Sequence, residues 1–372
     1  MNQATKPRKR IAVKFPSTKN NTLIKVLKYS LLAGLSVFIT SHSLTQIITP
    51  PKIPQNIGFI SPKKTYYQAH KDNYNTLFFG SSRVLNHINP EVIDQVAKSE
   101  GLEISSYNFG IPAIREIHSY VLLRDVLQDA PEHLEWVFIE ISLDKGYEPI
   151  ANARTKRSIY WHTFSNTRIA IEYIINSEES AFNKAILISS HILPYIYHQL
   201  NIGIISNHLW PSETQSLESQ RDQKIYEANK GFLGITSNHY NDLRQLFLAD
   251  QFDYQKDVKK LINYHKNRTE KDNDLPDNKR ILLSKIIDTV HAAGATPFFI
   301  ITPTLNTAQD LYQAHEEDLI PTLFAYNNPS DYPQFYDAEN RHDPEHLNIQ
   351  TANNFSQELA QDFIQAIKTK NF

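Results

Sequence analysis

Gly80-Ser81-Ser82-Arg83 follows directly on the apolar run Asn75-Thr-Leu-Phe-Phe79, and Asp343-Pro-Glu-His346 stands near the C-terminus. A hydroxyl behind a buried strand and a carboxylate–imidazole pair on a late loop are the three groups a serine hydrolase needs. A serine hydroxyl is a poor nucleophile at neutral pH. It needs a base within hydrogen-bond reach, and that base needs a partner to orient it. At a strand-to-helix turn, Ser82 would be exposed and its own N–H available to an oxyanion. Gly110, in Asn108-Phe-Gly110, could add a second backbone N–H.

Each motif also has a plainer reading. Ser81 or Ser82 could simply cap the following segment. Asp343, Pro344 and Glu345 make an ordinary helix start, with Asp at the cap and Pro in the first helical position. Such a cap does not require His346, three residues on. Gly110 could merely end a strand. His342, Asp343 and His346 could form a small ligand cluster, and His191 and His198 lie two turns apart on one helical face. No HExxH motif or dense carboxylate set accompanies them, so neither a metal nor a cofactor is expected.

These residues need elements to hold them. Leu77-Phe78-Phe79 reads as a strand, Val92–Ser99 as a helix opened by Asn89-Pro90, Ile104–Phe109 as a second strand and Ile114–Leu127 as a helix. Trp136–Ile141 reads as a third strand. After an interruption, Leu282–Ala293 reads as a helix, Thr296–Thr302 as a fourth strand and Ala308–Ala325 as a helix. Gln334–Asp337 is a short fifth strand and Leu347–Lys368 the last helix. Strands alternating with helices predict a flavodoxin-like, doubly wound parallel α/β sheet with its site at the carboxyl ends of the strands. The α/β domain is therefore expected over 72–149 and 276–372. Residues 150–275, too long for a loop and helical in character, form an insert over or beside the site.

The chain of 372 residues is 41% hydrophobic and 21% charged, with net charge −2, which gives no argument for nucleic-acid binding. It has no cysteine, which excludes disulfides and thiolate metal sites. Residues 1–28 form a basic tail with eight Lys/Arg, and no acidic residue precedes Asp72. The apolar stretch 29–49 would span about 30 Å, enough for a bilayer core. The basic flank predicts a cytoplasmic N-terminus and an exported body. No small-x-small cleavage site follows, so an uncleaved anchor is expected, with a helix lying on the membrane surface as the alternative. Prolines 50, 51, 54 and 62 mark 50–71 as a stiff linker.

On Gly80-Ser81-Ser82, Gly110 and Asp343-Pro-Glu-His346-Leu-Asn, the chain resembles the SGNH/GDSL hydrolase superfamily. The likeness is to its membrane-anchored cell-envelope branch, similar to lipoteichoic-acid D-alanylation and alginate O-acetylation factors. It covers residues 74–142 and 280–369. It implies Ser82 as nucleophile, His346 as base, Asp343 as its orienting acid, and the N–H groups of Ser82 and Gly110 as the oxyanion hole. The third block departs: where the superfamily has Gly-x-Asn-Asp, this chain has Glu140-Ile-Ser-Leu-Asp144, and Ser142 is the candidate replacement for the missing asparagine. The resemblance implies an extracytoplasmic esterase or O-acyltransferase at the bacterial inner membrane. Its substrate would be a glycan or glycopolymer, and a membrane-bound O-acyltransferase its potential partner. Arg83, with Arg154, Lys156, Arg157 and Arg168, could meet an anionic polymer or be a solvated face, and Tyr160-Trp161-His162 suggests a polymer-contacting lid. The rival reading is a non-catalytic tethered binding module serving such an acyltransferase.

Overall fold

The computed structural model describes residues 18–47, 57–141, 149–202, 224, 227–236, 241–268 and 274–370. In chain order the first elements are helix α1 (Thr18–Ile47), α2 (Ile60–His70), strand β1 (Thr76–Gly80), α3 (Ser82–His87), α4 (Pro90–Ser99), β2 (Ser106–Gly110), α5 (Glu116–Leu127) and β3 (Trp136–Ile139). The insert contributes α6 (Lys156–Trp161), α7 (Phe164–Ile175), α8 (Ala181–Gln199), α9 (Asn241–Ala249) and α10 (Phe252–Asn267). Then follow α11 (Asp277–Ala292), β4 (Thr296–Ile301), α12 (Gln309–Glu316), β5 (Leu323–Ala325) and α13 (Ile349–Lys370).

The five strands form one parallel sheet in the order β2-β1-β3-β4-β5. This is the flavodoxin-like order, in which the chain reverses direction across the sheet between β1 and β3. Strands β1, β3 and β4 are apolar at successive positions because both faces are covered. Alternation then sorts the side chains. Leu77, Phe79, Val137, Ile139, Phe299 and Ile301 face the layer of α2, α5, α7 and α11. Phe78, Phe138, Phe298 and Ile300 face the layer of α4 and α13. On that second face Phe138 lies 4.6 Å from Phe78, 5.1 Å from Phe298 and 4.8 Å from Phe363, ring centre to ring centre.

Three expectations need correction. The fifth strand is Leu323–Ala325, not Gln334–Asp337, and the helix expected over 308–325 ends at Glu316. Asp318 takes a left-handed φ of 56° and Pro321 cannot continue a helix, so the chain is released to run beside β4. The aromatic residues expected in a strand form a 3₁₀ turn, Pro333–Phe335, that buries Phe335 against Phe355. The folded body also starts before residue 72. Ile57, Ile60 and Tyr67 are buried core, and Lys63 Nζ, fully buried, donates to the carbonyls of Asn108 and Gly231.

The insert is helical among its described residues, but it is built into the core rather than laid over it. Ile169 and Tyr173 join the first layer; Phe232 and Leu261 join the second. Residues 230–235 also run along the outer side of β2 and on to the last helix: Asn108 N–H donates to Lys230 O (2.9 Å), Leu233 N–H to Leu85 O (3.0 Å) and Ile349 N–H to Ile235 O (3.1 Å). An otherwise open sheet edge is thereby partly covered. Helix α1 contains Thr22–Leu44, a stretch long and apolar enough to cross a membrane, of whose described residues Ser41 is buried.

Phe138→Ala removes the ring at the centre of the second layer. It is expected to lower stability by about 3–5 kcal/mol, read as a shifted denaturant midpoint with little change in slope.

Candidate active site

Gly80 ends β1, and a Cβ there would lie 2.4 Å from a Val84 methyl and 2.7 Å from Glu140 Oε2. Only glycine lets the chain turn this tightly into α3 while Glu140 crosses beneath it. The two serines then divide the readings between them. Ser81 is the helix cap, its Oγ accepting from Arg83 N–H at 3.2 Å. Ser82 is the first helical residue, and its hydroxyl is spent elsewhere: Ser82 Oγ lies 2.8 Å from His346 Nε2.

His346 comes from a turn rather than a helix start. The cap of α13 is Asn348, whose side-chain oxygen accepts from Thr351 N–H and whose carbonyl accepts from Ala352 N–H. The expected capping role of Asp343 is therefore not found. Its Oδ1 instead accepts the N–H groups of Glu345 (2.8 Å) and His346 (2.9 Å), folding residues 343–346 into a tight turn closed by the Arg341–Leu347 bridge. The same carboxylate meets His346 Nδ1 at 3.0 Å through both oxygens. Burial opposes ionisation of Asp343, but the bond to His346 and the two backbone donors outweigh it and hold the carboxyl below the usual range. An ionised carboxylate only accepts, so Nδ1 carries the proton and Nε2 presents its lone pair to the Ser82 hydroxyl.

Three residues that type and spacing did not single out hold this constellation. Glu140, at the end of β3, accepts Ser81 N–H at Oε2 (2.7 Å) and the Arg83 guanidinium at Oε1 (2.6 and 3.2 Å). Burial of Glu140 is opposed by the Arg83 charge and the Ser81 N–H, which together hold its carboxyl below the usual range. Asn108 donates to the carbonyls of Val84 and Ile88, both at 2.7 Å, fastening α3 to β2. His87, fully buried on α3, accepts Leu347 N–H at Nε2 (3.0 Å) and so fixes the chain directly after the imidazole. Burial, then the neighbouring His346, Arg341 and Arg83, keep His87 well below its ordinary pKa, in the neutral form that can accept.

The remaining candidates fall differently. Gly110 is not an open N–H donor: its N–H is taken by Asn108 Oδ1 at 2.7 Å. Its smallness serves packing, because a Cβ would lie 2.1 Å from Leu85 N of α3. Ser82 N–H, at the first helical position, meets no acceptor among the described residues. Arg83 does not face a polymer; it is buried, bonded to Glu140 and, at 3.3 Å, to Glu345. Trp161 is also buried, 4.2 Å from the His118 ring, so it is no exposed lid. Arg157 stacks on Trp161 and donates to the carbonyls of Pro112 and Ala113 (2.8 and 3.2 Å). Those two residues form a turn in which Ala113 takes a left-handed φ of 51°, and Ala113 lines a cleft at Ser82 together with Glu116, Ser119 and Ile141. Ser142 lies outside the described residues.

No protein-family model matches the chain, and no curated protein matches it.

Glu140→Gln removes the buried carboxylate from the Arg83 cation, and Glu345, which Arg83 also meets, is half exposed. It is expected to cost about 3–5 kcal/mol. The variant should also show a smaller acid loss. Because folding lowers the Glu140 pKa, its contribution is complete above the unfolded carboxylate value and disappears as pH falls through the folded one. Denaturation curves across the acid range test both; an unchanged acid limb would mean that Glu140 is not the titrating group.

Proposed function

We propose that the chain is a serine esterase or O-acyltransferase in which Ser82, His346 and Asp343 act as nucleophile, base and orienting acid. The observation that carries this reading is the unbroken chain of bonds from Ser82 Oγ to His346 Nε2 (2.8 Å) and from His346 Nδ1 to Asp343 (3.0 Å), joined across 264 positions of sequence. A module that only binds has no need of a hydroxyl, an imidazole and a carboxylate in that order, so the tethered binding module is the weaker reading.

In this scheme Ser82 Oγ attacks an ester carbonyl while its proton passes to His346 Nε2. The carbonyl oxygen becomes the oxyanion, with Ser82 N–H as one donor. The tetrahedral intermediate collapses as the imidazolium returns the proton to the leaving alcohol oxygen, leaving an acyl-Ser82. A water, or a hydroxyl of an acceptor, then gives its proton to His346, attacks the acyl group and regenerates the serine. Asp343 keeps Nδ1 protonated and stabilises the imidazolium without taking the proton. Glu140 opens the segment set against the superfamily's third block, two residues before Ser142, the candidate replacement for its asparagine. Its charge is balanced by Arg83, which keeps a bare carboxylate from opposing the oxyanion.

The apolar stretch of α1 and the basic residues before it support a single-pass anchor with the N-terminus inside and the body outside. The substrate class that follows from the resemblance is an ester on an envelope glycan or glycopolymer, with a membrane-bound O-acyltransferase as partner.

A fluorophosphonate should label the wild type at Ser82 and leave Ser82→Ala unlabelled, while Ser81→Ala remains labelled. Turnover of a small acetyl ester should fall about 10⁶-fold in Ser82→Ala and in His346→Ala, and about 10⁴-fold in Asp343→Asn. Full turnover by Ser82→Ala would leave the binding module as the better account. Separately, a reporter fused after Phe372 should be active only outside the cytoplasm.

A further inference from the structure

Helix α8 carries an apolar face that no other element covers among the described residues. Phe182, Ile186, Ile192 and Ile196 are 75%, 49%, 39% and 44% exposed. At 3.6 residues per turn these four, with Ala185 and Ser189, occupy about 120° of the helix circumference, and no charged residue interrupts them. The opposite side is committed to the protein. Ser190, His191 and Pro194 are buried there, and His191 Nδ1 bonds His162 Nε2 at 2.9 Å. A single exposed leucine is ordinary; a continuous charge-free stripe on a 19-residue helix is not.

What covers the stripe follows from where α8 ends. Ser41 of α1 donates to Gln199 O (3.1 Å), and Asn201 donates to Ser41 O and Oγ (3.0 and 2.7 Å). Ser41 lies within the apolar stretch Thr22–Leu44, about 4.5 Å short of its end. The C-terminal end of α8 is therefore held at the level where α1 would leave the hydrocarbon. Ile202, just past that joint, is also exposed. A helix with one polar, protein-bound side and one apolar side, pinned at that height, has the character of an interfacial helix.

We infer that α8 lies in the membrane interface with the stripe Phe182–Ile196 facing the acyl chains, so that the insert seats the folded body on the bilayer as a second contact besides α1. This rests on α1 crossing the bilayer. An occupant of the same shape, a second protein, is the outcome the test must separate.

The chain has no cysteine, so a single introduced thiol carries a probe at one site. Full-length Phe182→Cys, Ile186→Cys, Ile192→Cys and Ile196→Cys would each be labelled with an environment-sensitive nitrobenzoxadiazole dye in proteoliposomes of phosphatidylethanolamine and phosphatidylglycerol, with Leu32→Cys on α1 as the lipid-buried standard. All four α8 probes should lose fluorescence to doxyl-labelled lipid, emit further to the blue than in detergent-free buffer, and resist iodide. Quenching by iodide along α8 would mean the stripe faces water and overturns the inference, as would lipid quenching at Ile196 alone. Protection from both quenchers would assign the stripe to a protein and overturn it equally. If Leu32 itself escapes lipid quenching, the anchor reading fails; if Leu32 is quenched and α8 is not, only the present inference fails.

Discussion

The Arg83 guanidinium is buried at the point where the sheet reverses direction, and a buried cation must be matched. Glu140 matches it from the end of β3, with 4% of either side chain exposed. That one pair determines much of the surrounding geometry. It draws the turn after β1 against the end of β3, where Glu140 also takes the Ser81 N–H. It thereby sets the start of α3 and the position of Ser82. Through Glu345 it reaches the turn that carries Asp343 and His346, although that outer contact, half exposed, contributes little by itself. A hydrophobic pair of the same volume could pack as well, but could not bond Ser81 N–H and hold the late turn together.

Close backbone approach is the second constraint. Helix α3 has only six residues, yet it touches β1, β2 and α13. Gly80 and Gly110 remove the side chains that would collide with it. Asn108 ties its carbonyls to β2, and His87 ties it to Leu347. Ser356 extends the link, its hydroxyl donating to His87 O while accepting from Asn89 N–H. The short helix is therefore held by its neighbours rather than by its own backbone bonds.

The four long strands were legible because runs such as Thr296–Ile301 are apolar on both faces, a pattern surface segments do not carry. Strand β5 was not, since three half-buried residues have no pattern of their own and pair only because β4 offers a free edge. Ser82, Asp343 and His346 could be singled out by residue type, and Ser82 also by its place behind β1, but the strand expected before Asp343 does not form. Their support was not readable. Arg83 and Trp161 read as surface residues by type, whereas both are buried, and nothing local distinguishes a buried arginine whose partner lies 57 positions away. Likewise Asp343-Pro-Glu reads as a helix start, yet the turn forms because Asp343 accepts two nearby N–H groups and Asn348 takes the capping role. Gly110 read as an oxyanion donor or a strand end; what its position demands is room for α3.

The insert segment 230–235 bears on how the chain can assemble. It accepts one bond from Asn108 of β2, donates one to Leu85 of α3 and accepts one from Ile349 of α13, so it links the first half of the sheet to the last helix. Lys63 Nζ closes the same junction by gripping the carbonyls of Asn108 and Gly231, 45 and 168 positions away. Contacts of such separation carry a large loop-closure cost and form late. The early strands can associate with local help alone, but Ser82 meets the His346 imidazole only when nearly the whole polypeptide is present. An incompletely synthesised chain thus holds Ser82 without the partner that its hydroxyl has in the finished fold.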